Sequence, residues 1–209
     1  MIIGVNATSG WVQCGSLSDQ GANYEEWDGR QCIEALPCRL HSLVSTHEAL
    51  TGALVILGPG SYTGIRLSLT TLKMMTLVHK VPLVGWSLFD GYMALNHSMI
   101  QGLVVLTSPS RKGMLNLQVF QSNATGYASV SSLLQVSFTH MAAFLRRFES
   151  PLYWHSFSND DLAIEADHVT THRAHLNVLD LLRQQQSTIA SMDANAGSLS
   201  PIYSYPPVV

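Results

Sequence analysis

Three groups of residues have the types and spacing to do chemistry. The first is the turn Gly58-Pro59-Gly60-Ser61-Tyr62-Thr63-Gly64. Its glycines let a backbone bend sharply and come close to a ligand, and a helix starting just after it could hold an anion on its free N–H groups. The turn has neither the glycine spacing of a dinucleotide fold nor the terminal Gly-Lys-Ser/Thr of a P-loop. A structural turn in which Ser61 or Thr63 caps the helix therefore stands beside a phosphate cradle built on Gly58, Gly60, Ser61, Thr63 and Gly64. The second candidate is Ser61 as a nucleophile. A nucleophile elbow needs Gly-x-Ser-x-Gly, but Pro59 and Thr63 hold the two flanking glycine places, and no HExxH motif or paired acid offers another route to hydrolysis. No catalytic residue is assigned, and protease chemistry is set aside. The third group is Glu165, His168, His172 and His175, which would share one face of a helix at a spacing that binds Zn²⁺. Thr170-Thr171, however, makes a good cap for a helix over 174–186, which leaves His168 outside it and splits the set. No metal site is expected.

These residues need elements to hold them. Leu54-Val55-Ile56-Leu57 is apolar without alternation, the pattern of a strand covered on both faces in a layered α/β protein. Residues 2–6 and 11–17 read as two strands joined by Ala7-Thr8-Ser9-Gly10, a turn-forming cluster that predicts a hairpin. Asn6, at the end of the first strand, is an amide that can act neither as a base nor as an anionic Mg²⁺ ligand, and reads as a turn residue bonding its own backbone. Apolar residues at helical spacing predict a helix over 31–46, with Pro37 as a kink or as its start. A second helix over 65–80 carries two apolar faces, Ile65, Leu69 and Leu72 on one and Leu67, Met74, Met75 and Val78 on the other, around a polar stripe of Arg66, Lys73 and Lys80. One face belongs against the sheet. The other needs the first helix or a helix from another chain, and methionine-rich faces suit adaptable surfaces.

Two further strands, over 103–106 and 114–120, flank the turn 108–113 and open a second lobe. Thr139 is placed to cap a helix reaching Phe148, and residues 152–155 read as the next strand. The predicted division is 1–101 for an N-terminal lobe with the glycine turn and the helix pair, and 102–209 for a smaller C-terminal lobe.

Composition narrows the function classes. Only 12% of residues are charged and 46% are hydrophobic, against roughly 25% charged in an ordinary globular chain. Such a surface is poor at repelling other proteins and is expected to be covered by one. Eleven Lys and Arg in a chain of net charge −3 make a weak polyanion binder, since nucleic-acid affinity depends on neutralising phosphates. Three cysteines without a Cys-x-x-Cys pattern and an N-terminus without a leader-like segment point to a reducing cytoplasm. No apolar run approaches the roughly 20 residues of a membrane span.

The run Gly58 to Arg66, followed by Lys73, Val81-Pro82-Leu83-Val84-Gly85 and Ser87-Leu88, resembles the bacterial tRNA threonylcarbamoyladenosine biosynthesis scaffold subunit, the TsaB (YeaZ-like) family historically filed with the glycoproteases. Ser200-Pro201-Ile202-Tyr203 resembles the family's Pro-x-Tyr ending. The resemblance implies an α/β fold of two actin- or sugar-kinase-like (ribonuclease H-like) lobes, each a mixed sheet with flanking helices. It also implies a non-catalytic subunit that dimerises with a catalytic threonylcarbamoyl transferase, works with a small ATPase subunit, reaches tRNA only through the complex, and forms a homodimer when alone. The isolated chain is expected to bind no cofactor, with any nucleotide held at the partner interface. The chain departs from the family at Asn6, where an Asp is usual, and at Thr107-Ser108-Pro109, where an Asp-Ala-Arg-like segment is usual. Docking through the two helices predicts a four-helix contact with Leu36, Leu40, Leu72, Met75 and His79 as contributors. A nucleotide-binding phosphotransferase and a self-associating protein without a catalytic client are the alternatives.

Overall fold

The computed structural model describes residues 1–44, 49–111, 113–148, 151–158, 168–194 and 199–203. The chain forms two compact units: residues 1–91 with 177–202, and residues 92–176 with 203–209.

In the first unit, strands β1 (Ile2–Asn6), β2 (Trp11–Ser18) and β3 (Gly21–Asp28) run antiparallel, while β4 (Gly52–Ile56) and β5 (Leu83–Trp86) extend the sheet in parallel, giving the order β3-β2-β1-β4-β5. The expected hairpin is present, with Val5 opposite Cys14 and Asn6 opposite Gln13. Helix α1 (Cys32–Val44) connects β3 to β4 and carries Pro37 inside it, and α2 (Tyr62–His79) is the crossover from β4 to β5. Helix α2 begins where Ser61 caps it and ends at Lys80 in the left-handed conformation.

Strand alternation divides this unit's interior into two layers. Ile3 and Val5 of β1, Val12 and Cys14 of β2, and Ala53 and Val55 of β4 face a core that also takes Leu36 and Leu40 of α1 and Leu69 and Leu72 of α2. Burial holds the Cys14 thiol up at about 12, which makes it an inert core residue. The other face is covered by α5 (Val178–Ala190), which starts on Asn177 as its cap. Glycines let α5 sink onto the sheet: a Cβ at Gly4 would lie 2.9 Å from Leu182, and one at Gly52 only 2.4 Å from Ile189. The division at 101/102 is thereby corrected. The unit boundary falls within α3 (Leu88–Asn96), and the chain returns at residue 177 to complete the first unit, because the glycine-lined face requires a helix to cover it.

The second unit has the strand order β11-β10-β6-β7-β8, made of β6 (Gly102–Pro109), β7 (Met114–Asn123), β8 (Gly126–Ser129), β10 (Leu152–Ser156) and β11 (Val169–Arg173), with β9 (Leu134–Ser137) paired to β7. Helix α4 (Phe138–Leu145) starts after Ser137, two residues before the expected Thr139 cap, and stops short of Phe148. Its Met141 and Leu145 join Val105, Leu117 and Trp154 in a separate core. Each unit is thus a mixed sheet with flanking helices, the α/β architecture expected from the sequence. Among the described residues, no helix is long and apolar enough to cross a membrane.

Candidate functional site

The glycine turn packs against its own chain. Ser61 Oγ accepts the Gly64 N–H at 3.3 Å, and the Ser61 N–H donates to the Thr8 carbonyl at 2.8 Å. A Cβ at Gly60 would stand 2.1 Å from the Thr8 oxygen and one at Gly64 2.2 Å from the Ala7 oxygen. At Gly58, where φ is +116°, it would stand 2.5 Å from the Ile202 oxygen, and the Ile202 N–H donates to Leu57 at 2.7 Å. The space that glycine leaves open is filled at all three positions by the protein's own backbone, so these glycines serve close packing and fix the start of α2. Of the two candidate caps, Ser61 is the one used, while Thr63 is exposed.

Both positions where the resemblance expects acidic residues carry neutral side chains with structural work. Asn6 Oδ1 accepts the Thr8 N–H at 3.2 Å and the Thr8 hydroxyl at 2.7 Å, the local turn expected of it. Its amide donates to Gln13 Oε1 at 3.5 Å, and that oxygen also accepts the Val178 N–H at the start of α5. In the second unit, Thr107 Oγ1 accepts the Trp154 indole N–H at 2.9 Å, and Ser108 Oγ accepts from Asn116 at 3.1 Å. Neither position brings the negative charge that organises Mg²⁺ and a nucleotide.

The histidines do not share a helix. The helix expected over 174–186 begins only at Val178, and Thr170 and Thr171 lie in β11 instead of capping it. Glu165 lies outside the described residues. His168 precedes β11 and donates from Nε2 to the Leu145 carbonyl at 3.2 Å. His172 sits on β11 beside His155 of β10, with ring centroids 4.8 Å apart. His155 is 5% exposed, bonds through Nδ1 to the Tyr92 hydroxyl at 2.6 Å, and has no partner for its buried Nε2. Burial, and secondly the neighbouring His172, push its pKa down to about 4, and burial pushes the Tyr92 hydroxyl up to about 12. Among the described residues, no three His, Cys, Asp or Glu side chains are grouped to hold a metal ion.

What stands open is a groove between α1 and α2. It encloses about 460 Å³ and is lined by Pro37, His41 and Val44 from α1 and by Thr71, Met74, Met75, Val78 and His79 from α2. Of the five expected interface residues, Met75 and His79 line it. Leu36, Leu40 and Leu72 do not, since all three are 0% exposed in the first unit's core. The two apolar faces of α2 are both real, but the Leu72 face is already covered by the sheet and α1. Beside the groove, Met74 is 60% exposed and Leu77 and Val78 are each 73% exposed. The residues that sequence reasoning missed were legible as a stripe, since 37, 41 and 44 fall at i, i+4 and i+7, as do 71, 75 and 78. The cations of the expected polar stripe are partly engaged within the chain: Arg66 lies 3.9 Å over the Tyr62 ring, and Lys73 donates to the Leu199 carbonyl at 2.6 Å.

No protein-family model matches the chain, and no curated protein matches it by sequence. Solved structures do match. YeaZ from Pseudomonas aeruginosa aligns over 97% of this chain and 98% of its own, with a TM-score of 0.67 at 13% identity. An uncharacterized protein described as similar to peptidase YeaZ from Pseudomonas aeruginosa aligns over the same shares, with a TM-score of 0.66 at 11% identity. A Bacteroides thetaiotaomicron protein described as having an actin-like ATPase fold aligns over 77% of this chain and 82% of its own, with a TM-score of 0.39 at 6% identity. The chain shares its α/β fold with the YeaZ structures along almost its whole length.

Proposed function

We propose that this chain is a non-catalytic scaffold subunit that docks, through the α1–α2 groove, onto a catalytic transferase adding threonylcarbamoyl to the adenosine next to the tRNA anticodon. The observation that carries the reading is the exposed apolar strip of Met74, Leu77 and Val78 beside that groove. The chain buries Leu72 of the same helix completely and leaves this strip to water, which suits a surface that a partner covers. Two features support a role without chemistry of its own. The glycine turn is filled by Ala7, Thr8 and Ile202, and the positions that would be acidic in an active relative are Asn6 and Thr107-Ser108. On this reading a small ATPase subunit completes the assembly, any nucleotide is held at the partner interface, tRNA is reached through the complex, and the chain works in the cytoplasm. The likeness to YeaZ along the whole chain supports the family role.

Reconstitution tests it. Adding this chain to a catalytic threonylcarbamoyl transferase and its ATPase subunit should raise the yield of modified adenosine in tRNA, and the Val78→Glu variant should not. Equal yields with and without the chain would reject the reading. Robust ATP hydrolysis by the purified chain alone would replace it with the phosphotransferase alternative.

A further inference from the structure

We propose that His155 and His172 together bind one divalent transition-metal ion, which ties the edge strand β11 to β10 in the second unit. The two residues stand opposite each other in the parallel pairing of these strands, so they share one face of the sheet. The same row continues from His155 to Leu106 of β6, which is fully buried and offers no polar atom from its side chain. His155 is 5% exposed, its Nδ1 is engaged by the Tyr92 hydroxyl at 2.6 Å, and its Nε2 is buried without a partner.

A buried ring nitrogen left unpaired costs the fold free energy that an apolar side chain in the same place would not. A metal ion supplies the missing partner. Metal-bound histidines ordinarily give their second ring N–H to a fixed acceptor, and the Tyr92 hydroxyl is such an acceptor: with Nδ1–H donating to it, the Nε2 lone pair is free for a metal. The spacing of the rings agrees with this. Zn–N bonds of about 2.0–2.1 Å set a metal about 3.2 Å from each ring centre, and N–Zn–N angles from square to tetrahedral then separate the two centres by about 4.5–5.2 Å. The rings of His155 and His172 stand 4.8 Å apart. His172 brings the second nitrogen from the solvent side, since it is exposed, with its ring stacked on Tyr153 at 6.4 Å. Arg173 follows it, but strand alternation turns that side chain to the other face of the sheet. Among the described residues no third His, Cys, Asp or Glu joins the pair, so water completes the shell. Imidazole donors without a carboxylate select Zn²⁺, Cu²⁺ or Ni²⁺ over Mg²⁺ and Ca²⁺.

Calorimetric titration of Zn²⁺ into the untagged full chain at neutral pH tests this, with Mg²⁺ as the contrast and circular dichroism on every variant. The tightest Zn²⁺ site of the wild type should hold one ion, which excess Mg²⁺ does not displace. His172→Gln, a change on an exposed edge, should keep the fold and weaken that site at least about tenfold, and Tyr92→Phe, which removes the acceptor for Nδ1–H, should weaken it about tenfold. His155→Gln should act like His172→Gln, while His140→Gln on α4 should leave the site unchanged. Zn²⁺ should also raise the thermal midpoint of the wild type, because it binds the folded chain, and should not raise that of His172→Gln. If His155→Gln fails to fold, His172→Gln decides alone. A wild type that binds no Zn²⁺ would overturn the proposal, as would a tightest site that His172→Gln leaves at wild-type strength, which would place an adventitious ion only at other histidines.

Discussion

The two helical layers on the first unit's sheet are built differently. Helix α5 sits on Gly4, Gly15 and Gly52, close enough that Leu182 and Ile189 fill the space of the missing side chains. The α1–α2 layer buries Leu36, Leu40 and Leu72 against the other face, and then continues outward into Met74, Leu77 and Val78, which stand 60%, 73% and 73% exposed. One layer ends in packing and the other ends in an apolar surface. The difference teaches that α2 has more hydrophobic residues than its own sheet needs, and the surplus lies on the side facing away from the core. A helix designed only to close a lobe would carry polar residues there.

Substitutions along α2 should break this contrast most sharply. Leu72→Ala empties a fully buried site and should cost about 2–5 kcal/mol in urea unfolding, whereas Leu77→Ala, one and a half turns on, should stay within about 0.5 kcal/mol. Equal costs would mean that the outer strip is part of the core. Crowding the α5 side comes next. Gly52→Val places a side chain against Ile189, where even a Cβ would stand at 2.4 Å, and should cost about 3 kcal/mol; a neutral result would show that α5 is loosely seated.

A pH series extends the comparison to the second unit, where a polar atom, not an apolar one, is left without a partner. His155 has a folded-state pKa of about 4, below the ordinary histidine value. As pH falls through about 6.5, the unfolded chain takes up a proton that the folded chain refuses. The stability tied to neutral His155 is complete above that pH and is lost progressively toward about 4. At pH 5 the loss should be about 2 kcal/mol, read as a lower urea midpoint than at neutral pH, and it should shrink in the His155→Gln variant. A smaller loss than at His155 is expected at the first strand's end. Asn6→Asp keeps the acceptor for Thr8 but loses the donor to Gln13, and should cost about 1 kcal/mol. It should create no ATP hydrolysis, since Thr107 and Ser108 remain neutral; measurable turnover would show that one carboxylate suffices.

Much of this architecture could be read from the sequence where burial left a periodic trace. Strands β1, β4 and β6 are apolar runs because both faces or most of their length are covered, and Ser61 is a helix cap by residue type and position. Strand β3, Gly-Ala-Asn-Tyr-Glu-Glu-Trp-Asp, was not legible, because an edge strand that is mostly exposed has little reason to alternate. Strand β11 misled for the same reason: Thr170 and Thr171 suit a cap and a strand alike, and exposure removed the pattern that would have separated them. The return of α5 to the first unit was written in Gly4, Gly15 and Gly52, but glycines in strands also mark bulges and ligand approaches. At the groove, helical spacing gave two apolar faces on α2 without saying which one the sheet takes. For that reason the expected contact includes Leu36, Leu40 and Leu72, which the structure places in the core.

The central claim, that the outer face of α2 is a docking surface, is tested most directly by Val78→Glu in the free chain. Val78 is 73% exposed and lines the groove, so a carboxylate there costs the isolated fold little but would be buried without a counter-charge in any contact. Sedimentation at neutral pH alongside thermal unfolding should show a wild-type dimer, a monomeric variant and a nearly unchanged monomer fold by circular dichroism. A variant that self-associates as tightly as the wild type would contradict the account.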